Sequence, residues 1–124
     1  MYLKTVLVID DSPFVYKAIR RALEPHGFDI VGHAQNGHRG LEMIATLRPD
    51  IITLDVTMLI MDGLQVAARL PKSTAARTIM LSAMGDMDLI KQVQNHGIKH
   101  FLSKPFQPDD LVNQIREIQR ETAK

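Results

Sequence analysis

Five short apolar runs, each followed by a stretch with helical spacing, most constrain what this chain can fold into. The runs are Val6–Ile9, Ile30–Val31, Ile51–Leu54, Thr78–Leu81 and His100–Leu102. Between them, Val15, Ala18, Ile19, Ala22 and Leu23 form one stripe, and Leu41, Ile44, Ala45 and Leu47 a second. Leu111, Val112, Ile115 and Ile118 form a third. Apolar residues three and four apart line one face of a helix. The segments after Gly63 and after Asp86 have weaker periodicity and also read as helices. Ser12-Pro13 predicts an N-cap followed by proline at the first helical position. Gln107-Pro108-Asp109-Asp110 opens the last helix with acids at its positive end. Gly27, Gly97 and Pro49 punctuate helix ends.

A strand-helix unit repeated five times predicts an α/β fold, with a parallel sheet covered by helices on both faces. Right-handed crossovers leave only a few doubly wound arrangements. The 124 residues fit one domain over 1–124, and a chain of this length buries about two thirds of its surface. Fifteen basic and fourteen acidic residues give a net charge of +1. That balance offers no field for nucleic acid or an acidic membrane. The absence of cysteine excludes disulfides and thiol chemistry. No apolar stretch approaches the roughly 18 residues of a membrane span. The start "MYLKTVLVIDDS" meets acid after a short apolar run, unlike a signal peptide. A cytoplasmic location is therefore expected.

The residues that follow each strand carry the chemistry. The first run ends in Asp10-Asp11, the third in Asp55 and the fourth in Ser82, and the fifth is followed by Lys104-Pro105. A parallel sheet brings these ends to one edge, where open α/β folds bind ligands. Three neighbouring carboxylates repel each other, and a hard cation relieves the repulsion. Mg²⁺ takes a few carboxylate oxygens and keeps positions for water and phosphate oxygens. Lysine adds a point charge suited to a phosphoryl group, and a hydroxyl can donate to a phosphoryl oxygen. A carboxylate can also be the nucleophile that forms an aspartyl-phosphate. Asp55, standing alone, is the expected nucleophile, and the adjacent Asp10 and Asp11 are expected to hold the metal.

Asp10-Asp11, Asp55, Ser82-Ala83 and Lys104-Pro105-Phe106 together resemble the signature of response-regulator receiver domains, the CheY-like family. "VLVIDDS", "LDVTMLIMDG", "LSA" and "FLSKPF" occur in the family's order over essentially the whole chain. The resemblance implies a five-stranded sheet in the order 2-1-3-4-5. It implies that Asp55 is phosphorylated by the phosphohistidine of a sensor histidine kinase or phosphotransfer protein, or by a small phosphodonor. Asp11 and Asp55 would bind Mg²⁺ directly with the backbone carbonyl of Thr57, and Asp10 would act largely through water. Lys104 would pair with the phosphoryl group, and the Lys104-Pro105 bond would be cis. Ser82 would move inward as Phe101, the aromatic switch, turns. A downstream target protein would meet the face of the fourth helix, fifth strand and fifth helix, with Met87, Lys91, Gln94, His100 and Phe101 as candidates.

Other classes fit less well. An aspartyl phosphatase places its nucleophile after the first strand as D-x-D, and here the pair is adjacent. A flavin carrier needs a hydroxyl-rich phosphate loop where this chain has acidic "DDSP". A phosphorylation-independent interaction module, or a receiver belonging to a larger regulator with an output domain, stays open. The five histidines lack tight metal-ligand spacing and read as surface residues. Lys17, Arg20 and Arg21 read as a solvated helix face or a contact for a kinase. Leu59, Ile60 and Met61 either cover the exit of the third strand or form a patch for a partner.

Two positions depart from the family's usual pattern. Leu59 stands where proline is common, which is expected to loosen the loop after Asp55. Met84 follows Ser82-Ala83, where a bulky apolar side chain is expected to restrict attacking water. Met84→Ala is therefore expected to shorten the phosphoryl half-life of the labelled protein, and an unchanged half-life would remove that role.

Overall fold

In the computed structural model, which describes residues 3–56, 58, 61–83 and 87–122, strands and helices alternate as the apolar pattern predicts. The strands are β1 Thr5–Ile9, β2 Asp29–Ala34, β3 Ile51–Asp55, β4 Thr78–Ser82 and β5 His100–Ser103. The helices are α1 Pro13–Leu23, α2 Gly37–Leu47, α3 Gly63–Ala67, α4 Lys72–Ala75, α5 Met87–Gln94 and α6 Pro108–Thr122. All strand pairs are parallel, in the order β2-β1-β3-β4-β5. Strands 1 and 3 therefore flank the point where the winding reverses, and their carboxyl ends bound the crevice of such a sheet.

Two apolar layers hold the helices to the sheet. Val6, Val8, Ile51, Ile79 and Leu81 meet α1 and α6 on one face. Leu7, Ile9, Ile52, Leu54 and Met80 meet the remaining helices on the other. The period-2 alternation of each strand divides its side chains between the layers. α6 buries all four residues of its stripe. α1 buries Ile19, Ala22 and Leu23 and leaves Ala18 exposed. The Ser12 cap forms as expected, its hydroxyl accepting the Val15 N–H at 3.3 Å.

Three details differ from the sequence reading. The weak helical segment after Gly63 is two short helices, because Pro71 starts α4 and cannot continue the hydrogen bonding of α3. α2 faces the sheet with Gly40, Leu41 and Ile44, while Ala45 and Leu47 point outward. It ends on Arg48, a non-glycine residue in the left-handed region at φ 47°. The histidines also divide. His26, His38 and His96 are exposed, but His33 is half-buried and His100 is buried.

The amino ends of the strands are joined by Asp50. Its Oδ2 accepts the Lys4 and Thr5 N–H groups at 2.9 and 3.0 Å, and its own N–H donates to Thr5 Oγ1 at 2.8 Å. Arg77 donates to the carbonyls of Pro49 and Asp50 from the α4–β4 side. Burial alone would raise the Asp50 carboxyl. The Lys4, Thr5 and Arg77 contacts outweigh it and hold it below the usual carboxylate range. A lowered folded value means that the stabilisation is complete above the ordinary value of about 3.9 and is lost as pH falls through the lower folded one. Asp50→Ala is expected to cost about 1–2 kcal/mol at neutral pH. Denaturant unfolding across the acid range should show that gap closing below the ordinary carboxylate value; a gap independent of pH would refute the assignment.

Candidate functional site

The carboxyl edge of the sheet brings the predicted residues together. Asp10 follows β1 directly, Asp55 is the last residue of β3 and Ser82 the last of β4, and Lys104 follows β5. Carboxylate oxygens of Asp10, Asp11 and Asp55 lie within 4.8 Å of one another. Asp10 has no exposed surface and Asp55 is 6% exposed, whereas Asp11 faces solvent. Lys104 Nζ lies 3.2 Å from Asp10 Oδ2 and 3.1 Å from Asp55 Oδ1. Burial alone would lower the Lys104 ammonium, but Asp10 and then Asp55 outweigh it and raise it above the usual lysine value.

Each side chain is aimed by local backbone chemistry. Asp10 N–H makes the last bond to β2, at Ala34 O (2.9 Å), and Asp10 Oδ1 accepts the Ser12 N–H at 2.9 Å. This turns the chain from β1 into α1. The Lys104 N–H donates to Ser82 O at 2.8 Å, which anchors the lysine backbone at the end of β4. The Lys104-Pro105 peptide is cis, as the resemblance implied. Ser82 is buried. Strand alternation puts it on the sheet face of Met80, the register partner of Phe101. Phe101 is half-buried and packs in the layer beneath α5.

The chain after Asp55 is fastened at its far end. Asp62 caps α3 by accepting the Gln65 N–H at 3.0 Å, while Gln65 Oε1 accepts the Asp62 N–H at 2.9 Å. Gly63 N–H donates to Val56 O at 2.9 Å, and Gly37 N–H donates to Met61 O at 3.1 Å. Both glycines are required by close approach. A Cβ on Gly37 would lie 2.1 Å from Met61 O, and one on Gly63 would lie 2.5 Å from Asp55 O. Met61 adopts the left-handed conformation at φ 53° and packs against the core. Thr57, Leu59, Ile60 and Met84 lie outside the described residues.

One predicted surface residue is corrected. His100 is 5% exposed. Its ring faces α6, with Nδ1 3.1 Å from Gln114 Oε1 and Nε2 2.8 Å from Glu121 Oε1. It is not available to a partner. Met87, Lys91 and Gln94 are exposed along α5.

The donor set fits a hard divalent cation. Three carboxylates face one ammonium, so two negative charges remain to be neutralised. Every nearby ligand atom in the group is oxygen, the preference of Mg²⁺. Among the described residues, none of the five histidines joins this or another such group. No helix is long and apolar enough to cross a membrane among the described residues.

Comparison with known proteins agrees with the fold. A family model described as the response regulator receiver domain matches residues 6–116. The chain is 34% identical over 113 residues to chemotaxis protein CheY of Listeria monocytogenes, covering 90% of this chain and 95% of that protein. It is 39% identical over 110 residues to a protein-glutamate methylesterase/protein-glutamine glutaminase of Geobacillus kaustophilus, covering 86% of this chain and 31% of that protein. Its fold superimposes on a crystal structure of the CheX-CheY-BeF3-Mg complex from Borrelia burgdorferi. There the TM-score is 0.85 and the identity 30%, covering 93% of this chain and 88% of that one. With the family model matching most of its length and its strand order shared with those folds, the chain belongs to the response regulator receiver domain family.

Proposed function

We propose that Asp55 is the phosphoacceptor of a magnesium-dependent receiver spanning residues 1–124, acting in the cytoplasm between a histidine kinase or phosphotransfer protein and a downstream target. The observation that carries this reading is Lys104 Nζ within 3.1 Å of Asp55 and 3.2 Å of Asp10, beside the acidic trio. A carboxylate oxygen of Asp55 attacks phosphorus and the P–N bond of the donor phosphohistidine breaks. The electron pair leaves on the imidazole nitrogen, which then takes up a proton. With acetyl phosphate, the P–O bond breaks and acetate leaves. Hydrolysis returns the Asp55 carboxylate and inorganic phosphate.

Asp10, Asp11 and Asp55 are the residues that would hold Mg²⁺, with the Thr57 carbonyl as the further ligand that the family pattern implies. When bound, the ion supplies positive charge to the carboxylates and the phosphoryl oxygens. Lys104 keeps its proton throughout. It first balances Asp10 and Asp55, then offers an N–H to a phosphoryl oxygen. The Ser82 hydroxyl donates to another phosphoryl oxygen. Its movement opens space on the sheet face where Phe101 packs, so that α5, β5 and α6 present a different surface. Phosphorylation biases this pair of states by adding charge and acceptor oxygens in one of them. Catalysis is limited to the domain's own phosphorylation and dephosphorylation.

Incubation with Mg²⁺ and acetyl phosphate should add one phosphoryl group by mass. Asp55→Asn or chelation of the metal should abolish the gain, and a label that persists in Asp55→Asn would sink the assignment. The lysine gives an independent test. Because its folded value is raised, its stabilisation is complete below the ordinary value of about 10.4 and is lost as pH rises through the folded one. In magnesium-free buffer, Lys104→Met should be less stable than wild type by about 2 kcal/mol at neutral pH. The difference should shrink as alkali deprotonates the wild-type lysine; a variant as stable as wild type would show the ion pairs to be dispensable.

A further inference from the structure

β1 ends at Ile9, whose register partner in β2 is Ala34. One further ladder bond follows, from Asp10 N–H to Ala34 O. Both chains then turn away, into α1 through Ser12 and into α2 through Asn36. The Asp10 carbonyl is thereby left without a strand to pair with, at the start of the acidic loop. A side chain takes its place. His33 Nε2 lies 2.8 Å from Asp10 O. A carbonyl oxygen can only accept, so Nε2 carries the hydrogen and donates it.

The ring that makes this bond is itself held. Tyr16 of α1 lies flat on His33, with ring centroids 4.2 Å apart and planes 5° from parallel. Arg20, one turn along α1, sits over Tyr16 at 5.7 Å from its centroid. Its guanidinium is fixed in turn by two bonds to Glu24, at 3.0 and 3.1 Å. The column Arg20–Tyr16–His33 thus ends on the carbonyl of Asp10.

That carbonyl belongs to the peptide joining Asp10 to Asp11. Holding the peptide plane fixes the Asp11 Cα, the root from which the Asp11 side chain leaves the backbone. Asp10 needs little such help, since its carboxylate is buried and bonded to Ser12 and Lys104. Asp11 is the exposed member of the trio, and its backbone direction decides whether its carboxylate meets the others. We infer that His33 is a positioning residue for the acidic pocket, holding the Asp10–Asp11 peptide so that the Asp11 carboxylate converges with Asp55. The inference rests on the magnesium reading of the pocket given above.

Calorimetric titration of the whole protein with MgCl₂ tests it. Residues that orient metal ligands typically matter by tenfold or more, so His33→Ala should weaken Mg²⁺ binding on the order of tenfold. His33→Gln presents an amide N–H near the position of Nε2 and should recover most of the loss, to within about threefold of wild type. Acetyl phosphate labelling at varied Mg²⁺ gives the second readout. The half-saturating Mg²⁺ concentration of His33→Ala should rise in parallel, with a smaller change in the rate at saturation. If His33→Ala does not fold, Tyr16→Leu releases the ring while keeping the donor, and should still weaken binding measurably. Wild-type affinity in His33→Ala overturns the inference, as does a His33→Gln no better than His33→Ala, or unchanged affinity in Tyr16→Leu where that variant replaces His33→Ala. A wild-type protein that binds no Mg²⁺ overturns the magnesium reading itself, and this inference with it.

Discussion

Lys104 stands between Asp10 and Asp55, and the rest of the site depends on that one cation. Asp10 has no solvent contact, and a buried carboxylate without a charge partner costs several kcal/mol. The ammonium 3.2 Å away supplies that partner, beside the Ser12 N–H on the other oxygen. The lysine must reach across the end of β4 to do this, because the sheet order sets β4 between β5 and β3. A long flexible stem with a compact charge suits that span, and the bond from Lys104 N–H to Ser82 O fixes its root. The strand order is thus a requirement of the chemistry as well as of the packing.

The pocket remains short of positive charge even so. Three carboxylates against one ammonium leave the pocket with a donor set that suits a hard divalent cation. The scaffold resists the repulsion through contacts that reach into both apolar layers. Glycines 37 and 63 let α2 and α3 come close enough for backbone bonds to the residues after Asp55. His33 does the same for the residues after β1 through a side chain. The two carboxylate-bearing segments are therefore held from opposite faces of the sheet. Phe101 packs in the layer under α5, on the sheet face to which strand alternation assigns Ser82.

Much of this is legible in the sequence. The alternation of apolar runs with 3.6-period stripes predicts five strands and the helices between them. The polar residues at four strand ends predict the shared edge. The stripe of the second helix misleads because Gly40, which meets Ile9 of the sheet, carries no hydrophobic signal. Pro71 is a visible break in the helical segment after Gly63, and weak periodicity on both sides of it hides its force. His100 reads as a surface residue because histidine is ambivalent about burial. Its partners Gln114 and Glu121 lie 14 and 21 residues away. His33 gives no signal either, since its partner is a backbone carbonyl 23 residues away.

The element types, the parallel pairing and the set of acids, hydroxyl and lysine at the strand ends are readable from the chain alone. Those properties are written in local periodicity and in the polar residues at the close of each apolar run. That Lys104 contacts both Asp10 and Asp55, that His100 is enclosed against α6, and that His33 bonds the acidic loop emerges in three dimensions alone. Such contacts depend on strand order, register and the closeness of helices to the sheet. Packing of the whole molecule sets these, and no short stretch of sequence encodes them.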